Sequence, residues 1–493
     1  MLQEKIIETF LESKRFGGLP IALIFPNEYA VAVANLGFNA SYRAFEKAGF
    51  DCERFIYSDG KIRSVSGNKN ILDFKVWAFS LSFELDVMNV FEIFSKTGVE
   101  PLAKMRKGKP FVIFGGAMTF FNPNSFWHIA DTIFHGEIEG NQEMLFTLHE
   151  TIEKGLNWSE TLSILNDFEN VSVPPLGGKN VKLSKIRDLG DSFADSVMLS
   201  DSGAFGKTYL VEIERGCIHN CAFCVASKIY SVVRFMSLNE IERRISYALE
   251  YTDKVGLVGS SVSDHPELHE LLEWLKGRVR RLSVSSLRLD AINAELIGTL
   301  NSLGDREITL APEAGTQKMR DLLNKKINDE DIENALHEVK KAGLKRVKMY
   351  FIYGLPGEEQ EDLDGIVEIA ARTKAYGIIP YVSINPLIPK PSTPFESIEM
   401  RAADDLRKRE RYLQSNLGKI GVKSKFESVR LSRIQWIIST ADKELSLILA
   451  NSQDRFGSLK KIEKKWKSDP SWKYINNSWK ESVFGDLKIS KEG

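Results

Sequence analysis

Short apolar runs alternate with amphipathic stretches along most of this chain. Residues 21–25, 55–57, 76–81, 111–114 and 132–134 are apolar runs closed by Pro, Gly or polar turns, and they read as buried strands. Helical spacing of apolar positions predicts helices over 40–48, 87–94 and 144–153 between and after them. Leu2, Ile6, Phe10 and Leu11 share that spacing, which predicts a further helix within 1–18, ended by Gly17-Gly18. Strands alternating with helices argue for an α/β fold, here a Rossmann-like, doubly wound parallel sheet over residues 1–154. Such sheets bind ligands beyond the carboxyl ends of their strands. Those ends are Asn27 with the Asn35-Leu36-Gly37 turn, Ser80-Leu81-Ser82, Gly115-Gly116 and Gly136-Glu137. Glycine turns after strands are also ordinary structural punctuation.

Residues 155–207 have the Pro/Gly density and mixed polarity of a linker. Beyond them the alternation resumes, with strands at 209–213, 254–258, 282–285, 307–310, 346–352 and 379–384. Helices are predicted over 238–250, 265–279, 291–303, 329–342 and 360–376. Six β/α units without a seventh or eighth suggest a partial, TIM-like (β/α)6 barrel over 208–396, with its site at the carboxyl ends of the strands. Residues 386–395 hold four prolines, so they form neither helix nor central strand; they cross the barrel mouth as an ordered loop or serve as a plain linker. Residues 397–493 read as a mostly helical cap domain, with helices over 401–417 and 434–450 and an edge strand near 426–429. In its last stretch Trp466, Trp472, Tyr474 and Trp479 are interleaved with lysines, a mixture suited to packing or to stacking on nucleic acid.

Charge narrows the partners only slightly. Lys plus Arg number 66 against 67 Asp plus Glu, so no net field selects nucleic acid or an acidic membrane. The start, Met-Leu-Gln-Glu-Lys, is charged and unlike a signal peptide, and no apolar run approaches the ~20 residues of a membrane span. Four cysteines, three of them clustered, are no disulfide framework, and they place the chain in a reducing, cytoplasmic compartment.

The clustered three carry the chemistry. Cys217, Cys221 and Cys224 stand in the spacing C-x3-C-x2-C immediately after the strand at 209–213. Thiolates at this pitch can hold a 4Fe–4S cluster, leaving one iron open for a small chelating molecule. A zinc site would want a second ligand pair, and the one nearby candidate, His219, sits between the first two cysteines, badly placed to close the same tetrahedron. A chance grouping of inert thiols is the remaining alternative.

With Phe223 before the last cysteine, the motif resembles that of radical S-adenosylmethionine (SAM) enzymes. The resemblance implies that the open iron binds the methionine moiety, Phe223 lying beside it, and that an external reductant such as ferredoxin or flavodoxin drives reductive release of a 5′-deoxyadenosyl radical. The segments Phe-Pro-Asn-Glu-Tyr, Asn-Leu-Gly-Phe, Phe-Ser-Leu-Ser-Phe-Glu, Phe-Gly-Gly-Ala and His-Gly-Glu-Ile-Glu are similar to the N-terminal domain of the cobalamin-binding members. That likeness implies cobalamin on Asn35, Gly37, Ser80, Ser82, Gly115, Gly116, Gly136 and Glu137. No D-x-H-x-x-G motif occurs, so no histidine axial ligand is expected. In the barrel the family usually has a Gly-Gly-Glu-type turn for the methionine amino group after the second strand. This chain has Gly259-Ser260-Ser261 there, leaving backbone carbonyls and the Ser260 and Ser261 hydroxyls to serve. Arg288 is implied for the SAM carboxylate, Glu313 for the ribose and the Gly354 turn for adenine; an ion pair inside the barrel is the structural alternative for Arg288 and Glu313.

The implied activity is a cobalamin-dependent C-methylation of an unactivated carbon, consuming two SAM molecules per turnover. Cyclisation, rearrangement or carbon–carbon coupling is the alternative within the chemistry. A cobalamin or cluster sensor or carrier is the alternative outside it. Methylthiotransferases need three more cysteines for a second cluster, and only Cys52 remains. Nothing in the sequence names the substrate.

Overall fold

The structure, a computed structural model, describes residues 7–12, 17–304, 307–452 and 454–468. Its contacts fall into two compact units, one built on the chain up to Val211 with the segment from Ile437, the other on Glu212–Trp436.

The first unit is a seven-stranded sheet in the order Lys61–Ser64, Phe50–Ser58, Leu19–Phe25, Val76–Ser80, Phe111–Gly115, Thr132–Phe134, Val171–Ser172. The five inner strands are parallel and the two edge strands antiparallel. Parallel strands are covered on both faces, which is why these runs are apolar throughout rather than alternating; every residue of Val76–Ser80 is buried. The order reverses at Leu19–Phe25, so the switch point lies between this strand and Val76–Ser80. Phe114 stacks between Phe79 and Phe126 at centroid distances of 5.0 and 4.6 Å, joining the sheet to the turn after it. Arg106 and Asp131 form a fully buried pair at 2.9 Å. Asp131 also accepts from Val112 N and Trp158 Nε1, so no charge is left bare.

Three expectations are corrected. Thr9–Phe10 is a strand, paired antiparallel with Met198–Leu199, where helical spacing predicted a helix. Four apolar residues at that spacing did not decide between states, and pairing with a segment almost 190 residues away did; residues 1–6 and 13–16 lie outside the described set. Residues 155–207 hold a helix, Trp158–Leu165, closed by an Asn157/Glu160 capping box, and the edge strand Val171–Ser172. The helix expected over 434–450 is two, Val429–Thr440 and Glu444–Ala450. At the break, the buried Asn122 amide donates to Ser439 O and Ala441 O at 2.9 and 3.0 Å, taking carbonyls that a continuous helix would use itself. The tryptophan-rich tail from residue 469 lies outside the described residues.

The second unit carries the predicted β/α alternation. Lys254–Val258 and Arg281–Val284 pair in parallel in one sheet. Ile308–Glu313, Arg346–Tyr353 and Ile379–Pro386 lie in a second, and Lys423–Phe426 extends it in parallel, three residues before the predicted edge strand. The proline loop is an ordered, buried segment: Ser392 N donates to Glu396 at 2.9 Å, and Leu387 and Phe395 pack in one cluster with Ala222 of the cysteine loop.

Candidate functional site

The cysteine loop is shaped before any ligand is considered. Glu214–Arg215 pairs antiparallel with Arg234–Phe235, and Arg215 closes a two-point contact on Glu212 at 2.8 and 2.7 Å. Gly216 then turns the chain at φ +100°, where a Cβ would lie 2.7 Å from Val232 O and 2.8 Å from Tyr230 O. Only glycine fits that turn. Ala222 N donates to Leu323 O at 2.8 Å and Asn324 donates to Asn220 O at 3.1 Å, which anchors the loop from the opposite side. Phe223 packs partly buried against the cluster that contains Ala222, Ala314 and Leu355.

Cys217, Cys221 and Cys224 are all free thiols, Cys221 buried and the others half-buried. Burial pushes the Cys217 thiol up and that of Cys221 up to about 11, and the charges of the neighbouring cysteines add to both effects. Three thiols near enough to oppose one another's ionisation become thiolates together when a metal takes the sulfurs. Among the described residues no three His, Cys, Asp or Glu side chains are grouped as ligands of a single ion. His219, the candidate fourth zinc ligand, is bonded instead to Asp264 at 2.6 Å. A cluster asks for something different, one thiolate on each of three separate irons, and this donor set fits it. Lys228, Lys325 and Arg288 all feel the charge of Cys221, so cations surround the loop.

The turns after the next strands are stapled together. Ser285 Oγ bonds both Gly259 N and Gly259 O, at 3.1 and 3.0 Å, and Ser286 Oγ donates to Ser260 O at 2.8 Å. Ser260 is exposed and Ser261 buried, and Ser261 N donates to Glu214 Oε2 at 3.1 Å. Glu214 is 2% exposed, its Oε1 has no hydrogen-bond partner, and burial pushes its carboxyl up to about 8. Sequence reading passed over this residue because a lone acid in a strand carries no motif. Asn385 Oδ1 is also buried without a partner, on the strand position in register with Ile352.

Arg288 and Glu313 do form ion pairs, but with other partners. Arg288 bonds Asp290 through two nitrogens at 2.8 and 2.7 Å. Glu313 accepts from Lys325 at 3.0 Å, both side chains 12% exposed, and its backbone sits at φ +68°, a conformation costly for a residue with a Cβ. Despite burial, the charges of Glu313 and Cys221 hold the Lys325 ammonium above its ordinary range. The Gly354 N–H is committed to Glu358 at 3.0 and 2.9 Å, so it has no donor left for adenine.

In the first unit the expected ligand edge is largely occupied by the chain itself. A Cβ on Gly136 would lie 2.3 Å from Ser184 O, and Glu137 accepts from Ile186 N at 2.8 Å. These two residues hold the segment around 184–186. Gly116 is similarly pressed on Leu81, its Cβ position 2.5 Å from Leu81 O. Asn35 caps the helix Leu36–Lys47 through Phe38 N and donates to Ser82 Oγ at 3.2 Å, Gly37 is exposed in that helix's first turn, and Ser80 is buried. Gly115 alone of the edge glycines faces open space, with nothing within 4 Å of its Cβ position. At the switch point Asn27 donates to Asp86 at 2.8 Å, and burial pushes the Asp86 carboxyl up to about 7. A cavity of about 1210 Å³ in this unit is lined instead by Glu8, Tyr29, Tyr42 and Arg54 among others, and none of the expected cobalamin residues lines it.

Residues 211–370 match the model of the radical SAM superfamily, and residues 43–174 that of the N-terminal region of radical SAM proteins. Uncharacterized protein MJ0966 of Methanocaldococcus jannaschii is 28% identical over 454 residues, 90% of this chain and 94% of that protein. A putative methylthiotransferase of the same organism, MJ0865, is 23% identical over 32% of this chain and 37% of its own length. Among solved structures, OxsB, a cobalamin-dependent SAM radical enzyme with aqua-cobalamin and SAM bound, matches with a TM-score of 0.54 at 15% identity. The match covers 80% of this chain and spans 56% of OxsB.

Proposed function

Since this chain belongs to the radical SAM superfamily, we propose that it is a cobalamin-dependent radical SAM enzyme that methylates an unactivated carbon. The observation that carries the proposal is the three-thiol loop at the carboxyl end of the first strand of a β/α unit, in a chain that also has a doubly wound domain. When bound, the cluster supplies an electron and a chelation point, SAM the radical precursor, and cobalamin a methyl carrier. The chain's own residues do the rest. Cys217, Cys221 and Cys224 hold the cluster, Gly216 gives their loop its turn, and Lys325 and Arg288 offset the negative charge that three thiolates bring. Arg288 orients the carboxylate end of SAM while Asp290 fixes its plane. Glu313, steadied by Lys325, accepts from the ribose. The Gly354 turn contributes shape to the adenine site, without a donor.

Cobalamin rests on the likeness to OxsB, which by its name binds it, and on the open edge at Gly115 with Asn35 and Ser82 beside the switch point. Methylthiolation through a second three-cysteine cluster lacks ligands, because Cys52 is the one other cysteine and is buried in the first unit. An external reductant of ferredoxin or flavodoxin type would deliver the electron in a cytoplasmic setting; among the described residues no helix is long and apolar enough to cross a membrane.

The test is anaerobic reconstitution with iron, sulfide and hydroxocobalamin, then desalting, spectroscopy and SAM cleavage. Retained cobalamin with both deoxyadenosine and S-adenosylhomocysteine formed is the expected result. Deoxyadenosine with neither retained cobalamin nor S-adenosylhomocysteine keeps the radical enzyme and removes methyl transfer. A protein that takes up no cluster overturns the whole reading.

A further inference from the structure

The four-stranded sheet of the second unit has one face closed and one face open. Along Arg346–Tyr353 burial alternates, with Val347, Met349, Phe351 and Tyr353 buried and Lys348, Tyr350 and Ile352 half-buried. The closed face packs on the helix Gln360–Ala375, whose Thr373 hydroxyl reaches Met349 Sδ at 3.5 Å. Side chains paired across neighbouring strands stand on the same face. The register Thr309, Lys348, Tyr381, Lys423 is therefore one row of the open face, and Tyr350, Ser383, Lys425 is the next. Thr309 and Tyr381 are half-buried, and Lys423 and Lys425 are exposed.

Charge on this face is one-sided. The two rows hold three lysines, and the one carboxylate in these four strands, Glu313, is already held by Lys325. Lys425 has Glu427 at 3.5 Å. Lys348 and Lys423 have no acidic partner among the described residues. The Lys348 ammonium lies 4.8 Å from the centroid of the Tyr350 ring, which brings it level with the second row. A ring face steadies an ammonium without cancelling its charge and leaves N–H donors free. Lys423 stands two strands away, about 10 Å between backbones, with Tyr381 between them. Two long cationic side chains can meet on one group across that span, and the phenol hydroxyls can donate to it as well.

We propose that this open face receives the substrate and that the substrate is an organic anion. Its carboxylate or phosphate is held by Lys348 and Lys423, with O–H donation from Tyr350 and Tyr381. The inference rests on the radical SAM reading for the assignment of that anion as substrate. The Tyr350 row lies three residues, about 10 Å, before the strand end at Tyr353. An anion fixed there leaves the rest of the molecule to extend toward the strand ends.

The test is anion binding to full-length, cluster-loaded protein, kept oxidised and saturated with SAM so that the site for the SAM carboxylate is already filled. Isothermal titration in low-salt buffer measures inorganic phosphate and acetate separately, and the tighter of the two names the group on the substrate. Lys348→Gln should weaken that anion roughly tenfold or more, the loss of a hydrogen bond from a charged donor, and Lys423→Gln several-fold. Lys61→Gln, on an exposed hairpin position of the first unit, is the control and should change nothing. Wild type that binds neither anion overturns the proposal, as does an affinity that survives both lysine changes or falls equally in the control. If Lys348→Gln unfolds, the exposed Lys423 decides: unchanged affinity in Lys423→Gln overturns the proposal and weakened affinity supports it. SAM cleavage by a protein that binds neither anion overturns this inference alone. Lysine-dependent anion binding by a protein that takes up no cluster supports the anion site and overturns the radical SAM reading beneath it.

Discussion

At the strand ends of the N-terminal sheet, glycine and polar side chains are mostly spent on the chain itself. Gly136 and Glu137 hold residues 184–186, Gly116 lies on Leu81, and Asn27 is bonded to Asp86. At the strand ends of the β/α unit Ser285, Ser286, Gly354, Arg288 and Glu313 are likewise bonded within the chain, but two buried atoms are left over: Glu214 Oε1, in the strand that leads into the three-thiol loop, and Asn385 Oδ1, in the other sheet. Buried polar atoms in native folds are ordinarily satisfied, so an unsatisfied one marks either a cost or a missing ligand. The same residue types thus mean different things at the two rims, and what separates them is whether the protein already uses their hydrogen bonds.

The largest effect expected from disturbing either rim is at the thiols. Cys221→Ala should take iron from about four per chain to near zero and reduce SAM cleavage to background, read by iron analysis and deoxyadenosine formation. The fold should survive, because Ala222, the buried anchor of the loop, is untouched. Full iron and cleavage in Cys221→Ala would mean that the loop does not hold the cluster.

Two glycines of the other rim make a matched pair. Gly136→Ala forces a Cβ to 2.3 Å from Ser184 O at φ +101°, and should cost about 2–5 kcal/mol in denaturant unfolding from strain and overpacking together. Gly115→Ala meets nothing within 4 Å and should cost less than about 1 kcal/mol. If cobalamin binds this edge, the order inverts for retention: Gly115→Ala should release more cobalamin on desalting than its stability loss explains. Equal retention in wild type and Gly115→Ala would remove Gly115 from the site. Glu137→Gln should cost less than Gly136→Ala, about 1 kcal/mol, since an amide oxygen can still accept from Ile186 N.

These comparisons also show what could be read in the chain. The inner strands were legible because parallel strands buried on both faces leave unbroken apolar runs, as in Val76–Ser80. The cysteine loop was legible as a candidate cluster site because C-x3-C-x2-C has few other uses. Thr9–Phe10 was not, because its state is decided by pairing with Met198–Leu199, far away in sequence. Residues 155–207 hid the helix Trp158–Leu165 behind their Pro/Gly density, although the Asn157/Glu160 capping box was a local signal of its start. Arg288 and Glu313 were placed at the correct strand ends, but their partners, Asp290 and Lys325, follow from rotamers and backbone that no spacing encodes. The unbonded Glu214 Oε1 was not legible either, because a lone acid in a strand carries no motif.

The smallest effect is a titration at the first rim. Burial raises the Asp86 carboxyl from its ordinary 3.8 to about 7, so between those values the folded protein keeps a proton that the unfolded chain releases. The stabilisation from that proton is complete below about pH 4 and is lost as pH rises through about 7, because the unfolded state then binds fewer protons than the native one. Asp86→Asn keeps an oxygen to accept from Asn27 Nδ2 and removes the charge. Its unfolding midpoint in urea should match wild type near pH 4 and exceed it at pH 8, by on the order of 1–3 kcal/mol when converted to free energy. A constant gap between the two proteins across that range would mean that Asp86 is ionised throughout, held by a partner other than Asn27. In that case the switch point of the first sheet would hold a charge that the chain already compensates, and the contrast with the unbonded Glu214 oxygen at the second rim would sharpen.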